Sequence, residues 1–272
     1  MSEMNDYESK QANEIEKWKS DEPGVLGQAF GIIVQPLAWL IQQVVPEAAI
    51  QGALNFASAA GKWLADSDDI LREVGVEKVA DLRTKDLPLS DRLADEVHNW
   101  AIGLGVVEGT ATGAFGILGA PVDVPAIITL ALRTIHKVGL CYGYECIDEG
   151  DRQFVLAILA ASGANSVEEK MAALAMLRAV GTVLARQTWK PMAEKAAQSQ
   201  FSKEAAITGL RNLAKQLGIN ITKRRALAVI PAIGALIGGS VNGWYIKDVG
   251  WAARRAFQER WLQDNGKLIE VE

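Results

Sequence analysis

The chain has 272 residues, 49% of them hydrophobic, 22% charged and 7% aromatic, with 28 Lys+Arg against 33 Asp+Glu for a formal net charge of −5. That length holds one large domain or two small ones with a core of its own, and the apolar share excludes a disordered chain. The mild acidity argues against broad electrostatic binding to nucleic acid, and two cysteines, Cys141 and Cys146, point to reduced thiols rather than a disulfide framework.

In chain order, the first residues lack the basic and apolar regions of a secretory signal, so no signal peptide is expected. Residues 6–20 read as a short amphipathic helix, with Tyr7, Ile15 and Trp18 at helical spacing. The N-terminal helix, residues 1–22, is set apart from one helical domain over 23–272, because no linker rich in Pro, Ser or Gly divides the rest. Between Pro23 and Gly61 the only charged side chain is Glu47.

Apolar positions recur at three and four throughout, and β-branched residues form no alternating runs, so the fold class is all-α. Further helices are predicted over about 24–45, 47–65, 68–80, 90–119, 124–143, 149–162, 167–186, 189–199, 203–217 and 222–263. Val76 to Leu89 reads as an exposed connector. Ser90 and Ser202 are expected N-caps, Ser166 with Glu169 a capping box, and Gly163 and Gly218 helix stops.

Two stretches carry glycines on one helical face. Gly105, Gly109, Gly113, Gly116 and Gly119 advance by four, four, three and three, and Gly234, Gly238 and Asn242 by four. Each glycine inside a helix costs about 1 kcal/mol relative to alanine, which close backbone packing must recover, so glycine-rich hairpins are expected at the centre of the domain. Between Gly109 and Leu132 the only charged residue is Asp123, and from Ala226 to Ile246 there is none. The latter run is 21 residues long, near the ~20 needed to span a bilayer. Its Pro231, glycines, Ser240 and Asn242 instead favour buried helices of a soluble or peripheral domain.

Gly119-Ala120-Pro121-Val122-Asp123-Val124-Pro125 reads as a tight corner, with Asp123 capping the next helix or pairing with Arg133 or with a cation from the second glycine-rich hairpin. Asp123, Arg133, Asn242, Tyr142 and Tyr144 form the expected polar core or ligand set. Lys223, Arg224 and Arg225 read as a solvated helix start or as the best local anion site, suited to lipid headgroups. His98 and His136 lack the spacing of a metal pair, so no metal and no cofactor are expected. No nucleophile elbow, phosphate-binding loop or dinucleotide fingerprint is present, and no catalytic residue is assigned.

These motifs together are specific. The N-terminal Tyr7-Glu8 and Ile15-Glu16-Lys17-Trp18-Lys19 precede Gly109-(x3)-Gly113-(x2)-Gly116, Asp123-x-Pro125, Leu130-x-Leu132-Arg133-x-Ile135 and Tyr142-Gly143-Tyr144. Then follow Lys223-Arg224, Ile230-Pro231-x-Ile233-Gly234-(x3)-Gly238 and Asn242. In this pattern the chain resembles the EcsC family of bacterial proteins over most of its length. The resemblance implies a helical fold linked to the membrane and to transporter operons, with no catalytic assignment. The expected function is a non-enzymatic, membrane-associated helical protein, cytoplasmic and peripheral at the membrane. Its expected partners are membrane lipid or a hydrophobic ligand, with a membrane protein complex as a further candidate and no nucleic acid. The alternatives are a membrane-permeabilising effector and, last, an enzyme acting on a hydrophobic substrate through Asp123, Arg133 and Tyr142 or Tyr144.

Overall fold

The computed structural model describes residues 3–21, 66–113, 120–164, 167–189 and 241–268. Among these the fold is all-α, as the apolar periodicity predicts, with α1 (Asp6–Ser20), α2 (Asp68–Val74), a 3-10 turn (Val79–Thr84), α3 (Leu87–Gly113), α4 (Ala120–Cys141), α5 (Glu149–Gly163), α6 (Val167–Trp189) and α7 (Val241–Asp264). The predicted helices within 22–65 and 190–240, with Ser166, Ser202 and Gly218, lie outside the described residues.

Local chemistry sets several boundaries. Asn5 and Glu8 close a reciprocal capping box on α1: Glu8 N donates to Asn5 Oδ1 at 2.9 Å and Asn5 N donates to Glu8 Oε2 at 2.8 Å. Acidic Asp6 and Glu8 in the first turn and basic Lys17 and Lys19 in the last oppose the helix dipole. Gly75, at φ 71°, ends α2 in the left-handed conformation that glycine adopts without penalty. Asp148 caps α5 by accepting from Asp151 N at 2.7 Å, and Gly163 closes that helix as its sequence predicts.

Two boundaries differ from the sequence reading. The connector Val76–Leu89 is not simply exposed, because Val79, Leu82 and Leu87, at spacings of three and five, turn into the core. The helix expected to start at Ser90 already begins at Leu87, so Ser90 is buried within it and caps nothing. Asp86 serves that end, where its Oδ1 accepts from Leu89 N at 3.1 Å.

The centre of the bundle is α7, which packs against α1, α3, α4, α5 and α6. It is buried on nearly every side from Ala252 to Gln258 although that stretch includes Arg254, Arg255 and Gln258. Phe257 is fully enclosed among Tyr142, Tyr144 and Phe154, with ring centroids 6.3, 5.7 and 5.4 Å away. Burying a side chain of that size contributes about 1.5–3 kcal/mol. So the polar second half of the last helix occupies the centre. Of the expected glycine-rich hairpins, residues 114–119 and 226–240 lie outside the described residues.

The register is antiparallel between α3 and α7. Asp91 meets Gln258, Asp95 meets Arg254, and His98 meets Gly250 and the Lys247 carbonyl. Likewise α3 and α4 run antiparallel, since Trp100 meets Arg133 and Asp91 meets Tyr142. The C-terminal end of α3, the N-terminal half of α4 and the start of α7 therefore gather at one end of the bundle. Asp91, Tyr142 and Gln258 mark the other.

Candidate functional site

The polar end is built on one buried carboxylate. Asp91 is 2% exposed and accepts three hydrogen bonds. Tyr7 Oη donates to Oδ2 at 2.7 Å, Tyr142 Oη to Oδ1 at 2.5 Å and Gln258 Nε2 to Oδ1 at 2.8 Å. Arg255 Nη1 extends the cluster, donating to Gln258 Oε1 and Gln11 Oε1, each at 2.9 Å. Burial, then the Asp91 charge, pushes the Tyr142 hydroxyl well above its ordinary value; burial and the bond to Asp91 do the same for Tyr7. Phenols held protonated in this way are poor acids at neutral pH. The cluster's chemistry is to join α1, α3, α7 and the end of α4, leaving buried donors satisfied.

A second cluster lies alongside. Arg260 Nη1 donates to Asp151 Oδ1 at 2.8 Å, and its guanidinium carbon stands 4.1 Å from the centroid of the Tyr144 ring. Arg83 covers the same ring at 4.7 Å, and Tyr144 Oη donates to Asp264 Oδ2 at 2.8 Å. Gly143 links the clusters. Its φ is 88°, and a Cβ there would meet Arg83 Cγ at 2.5 Å and Arg83 N at 2.8 Å, so glycine is required twice over. Tyr142 and Tyr144 are thus each buried with the hydroxyl on a carboxylate, Asp91 and Asp264.

Arg133 stands apart from them. It lies on the middle of α4 with its guanidinium carbon 5.1 Å from the centroid of the Trp100 ring. The expected Asp123–Arg133 pair does not form. Both residues lie in α4, ten residues apart, a separation of about 15 Å along a helix axis. Asp123 is also inside the helix rather than its N-cap, because α4 is already under way at Ala120. Asn242 is the second residue of α7, and Gly109 and Gly113 lie in the last turns of α3. Gly116, Gly234, Gly238 and Lys223, Arg224 and Arg225 lie outside the described residues.

The other end of the bundle differs in character. Beyond Trp100, Arg133 and Lys247, the described parts of the three helices comprise residues 101–113, 120–132 and 241–246, and the only charged residues in those ranges are Glu108 and Asp123. At its border Trp100 is 49% exposed and Trp251 38% exposed. Trp251 packs edge-on against His98 at 5.7 Å, with Arg254 4.7 Å from its ring centroid. His98 Nε2 donates to the Lys247 carbonyl at 3.0 Å, and burial holds the imidazole below its usual pKa.

Sequence reading did not single out Asp91, Gln258 or Gly250. Gly250 had a signal, a lone glycine in a helical stretch next to Trp251. A Cβ there would meet the His98 ring at 2.1 Å. Asp91 had none, being one acid among many until the fold brings Tyr7 and Tyr142 to it.

A groove of about 460 Å³ lies between α1, α5, α6 and α7. Phe154, Leu174 and Leu177 make it apolar, Met171 is exposed beside them, and Lys19 bridges its wall to Glu259 at 2.5 Å. Cys141 and Cys146 are free and buried. Among the described residues no His, Cys, Asp and Glu cluster is arranged to hold a metal ion, and no helix is long and apolar enough to cross a membrane.

No solved structure matches the chain. The uncharacterized protein YdbA of Bacillus subtilis (strain 168) is 23% identical over 279 residues, covering 97% of this chain and 96% of that protein. Its likeness is end to end, so it spans both poles of the bundle. The EcsC family matches residues 9–262, from the middle of α1's first turns to the close of α7. The match takes in nearly every described helix, and the chain belongs to the EcsC protein family.

Proposed function

We propose that this chain is a non-enzymatic helical protein that works at the cytoplasmic face of a membrane, held there peripherally by lipid contact. The observation that carries this reading is the axial polarity of the bundle. One pole holds the hydrogen-bonded Asp91 and Arg260 clusters, while the helix segments described at the opposite pole have only Glu108 and Asp123 as charged residues. A pole so poor in charge loses little on leaving water, whereas the Asp91 pole would lose much. The link to a transporter or other membrane complex belongs to the same proposal and draws its support from family resemblance alone.

Protein purified without detergent and floated with vesicles of phosphatidylglycerol and phosphatidylcholine is expected to rise with the lipid. Complete retention in the soluble fraction at low salt would sink the reading. A second reading, binding of a single hydrophobic ligand, is favoured by the groove beside Phe154, Leu174 and Leu177, whose ~460 Å³ falls in the range of small-molecule sites. Native mass spectrometry would then find a small amphiphile travelling with the protein, and Leu177→Arg would remove it.

A further inference from the structure

A surface helix of a folded chain keeps its charge on the side away from the core. α1 follows that rule, since every exposed position between Asp6 and Ser20 is polar. α6 does not. Ala173, Leu177 and Val180 join the core, where α6 packs against α5 and α7. On its outer side eight positions between Val167 and Ala179 are exposed, and six of them are Val, Met or Ala. Met171 is 57% exposed, Val167 42% and Met176 38%. A helix apolar on both sides is one that another surface covers.

The two charged residues on that face are spaced to pair across two copies of the chain. Glu168 and Arg178 are ten residues apart on one helix, about 15 Å along its axis and too far to reach each other. Now set a second α6 antiparallel to the first, with the two-fold axis at the height of Ala173. Residues equally far to either side of Ala173 then come to one height on the two helices. Glu168 stands opposite the partner's Arg178, and by symmetry Arg178 opposite the partner's Glu168. Met171 stands opposite the partner's Ala175, an adaptable thioether chain over a small side chain, again twice. The alanines let the two backbones come close.

We infer that the outer face of α6 is a homodimer interface, in which two copies of this chain pack α6 against α6, antiparallel about the height of Ala173. This dimer goes beyond the membrane reading and stands without it. The face suits a second copy better than an anionic lipid surface, because its acid and its base lie at equal distances from its middle, and such a surface would attract Arg178 but repel Glu168. A contact built on one helix face falls at the low end of specific interfaces, so the dimer comes apart on dilution. Met171, Ala175 and Arg178 also line the groove beside α6, so the second copy covers that groove's lip.

Sedimentation velocity of the full chain over a range of concentrations is expected to show a monomer–dimer equilibrium. Arg178→Glu and Glu168→Lys should each weaken the dimer about tenfold or more, since the two-fold repeats every like-charge contact. Combined, they should return it toward the parent, because the exchange rebuilds both pairs. Met171→Glu should leave only monomer. Ala172→Cys lies one residue from the height of the axis and should cross-link to its own copy under mild oxidation. Thr84→Cys, exposed on the 3-10 turn, should not. Cys141 and Cys146 are buried and do not compete. Each variant should keep the parent's melting temperature, as substitutions at exposed positions do. If Met171→Glu melts early, the charge exchange decides. A parent that is monomeric at every concentration overturns the dimer, as does a dimer that Met171→Glu leaves intact. A double variant no tighter than its singles, or equal cross-linking by both cysteine variants, overturns the antiparallel α6 pairing.

Discussion

The two ends of this bundle solve opposite problems with the same three helices. At the Asp91 end α3, α4 and α7 bring charge inside and satisfy it: one carboxylate takes two phenols and an amide, and Arg260 is held between a carboxylate and two rings. At the other end the described parts of the same helices carry little charge, with Trp100 and Trp251 exposed at the border. The difference teaches that overall composition says little here. A chain of ordinary charge content gathers its costly polar groups at one end, where carboxylates, phenols and amides of the protein itself pair with them.

The sharpest way to break the comparison is at Asp91. Asp91→Ala removes the acceptor shared by Tyr7, Tyr142 and Gln258. It is expected to cost about 3–5 kcal/mol, as when one member of a buried charged network is deleted. Chemical denaturation measures it, and a loss under about 1 kcal/mol would show that the network is dispensable.

Acid should act next most strongly. Burial holds His136 down to about 4, against an ordinary value of 6.5. The folded state therefore resists the proton that the unfolded chain accepts. Stability is full above pH 6.5, falls as the pH drops from there to about 4, and is flat for this group below. The shift corresponds to roughly 3 kcal/mol at most. His98, lowered in the same direction, adds to the fall. Melting temperatures of the parent and His136→Leu across that range should diverge, the variant showing the weaker dependence.

Gly250→Ala should cost about 1–3 kcal/mol through overpacking against His98. On a His98→Ala background most of that cost should vanish, a coupling that a double-mutant cycle reads directly. Equal costs in both backgrounds would show that the clash is not what requires glycine there. Smallest of all is the effect of Lys247→Gln on stability, expected within about 0.5 kcal/mol at this exposed position.

Much of the helical plan was legible because it rests on local signals. Residues 6–20 and the helix closing at Gly163 announce themselves by spacing, caps and a stop. The segment Val76–Leu89 was harder. Its charges and Pro88 speak for solvent, and only Val79, Leu82 and Leu87, turning inward through a tight 3-10 coil, speak for the core. The site was less legible still. Charge-poor runs are visible in a linear chain, but their gathering at one pole depends on antiparallel register among three helices. The expected partner of Arg133 could not be read locally, because α4 spans Ala120–Cys141 and carries Asp123 away from it along the axis. Gln258 and Asp91 lie 167 residues apart, and nothing local to either points to the other.

The central place of α7 has a consequence in time. The described helices that pack against it all precede it in the chain, so in a growing polypeptide the faces they turn to α7 wait for it until residues 241–264 have been made. Contacts of such long sequence separation form late and leave nascent intermediates open to collapse or capture. A ribosome stalled before Val241 would hold out a sheaf of helices with no keystone. Whatever greets that sheaf first, chaperone or lipid, meets the protein before its own last helix does.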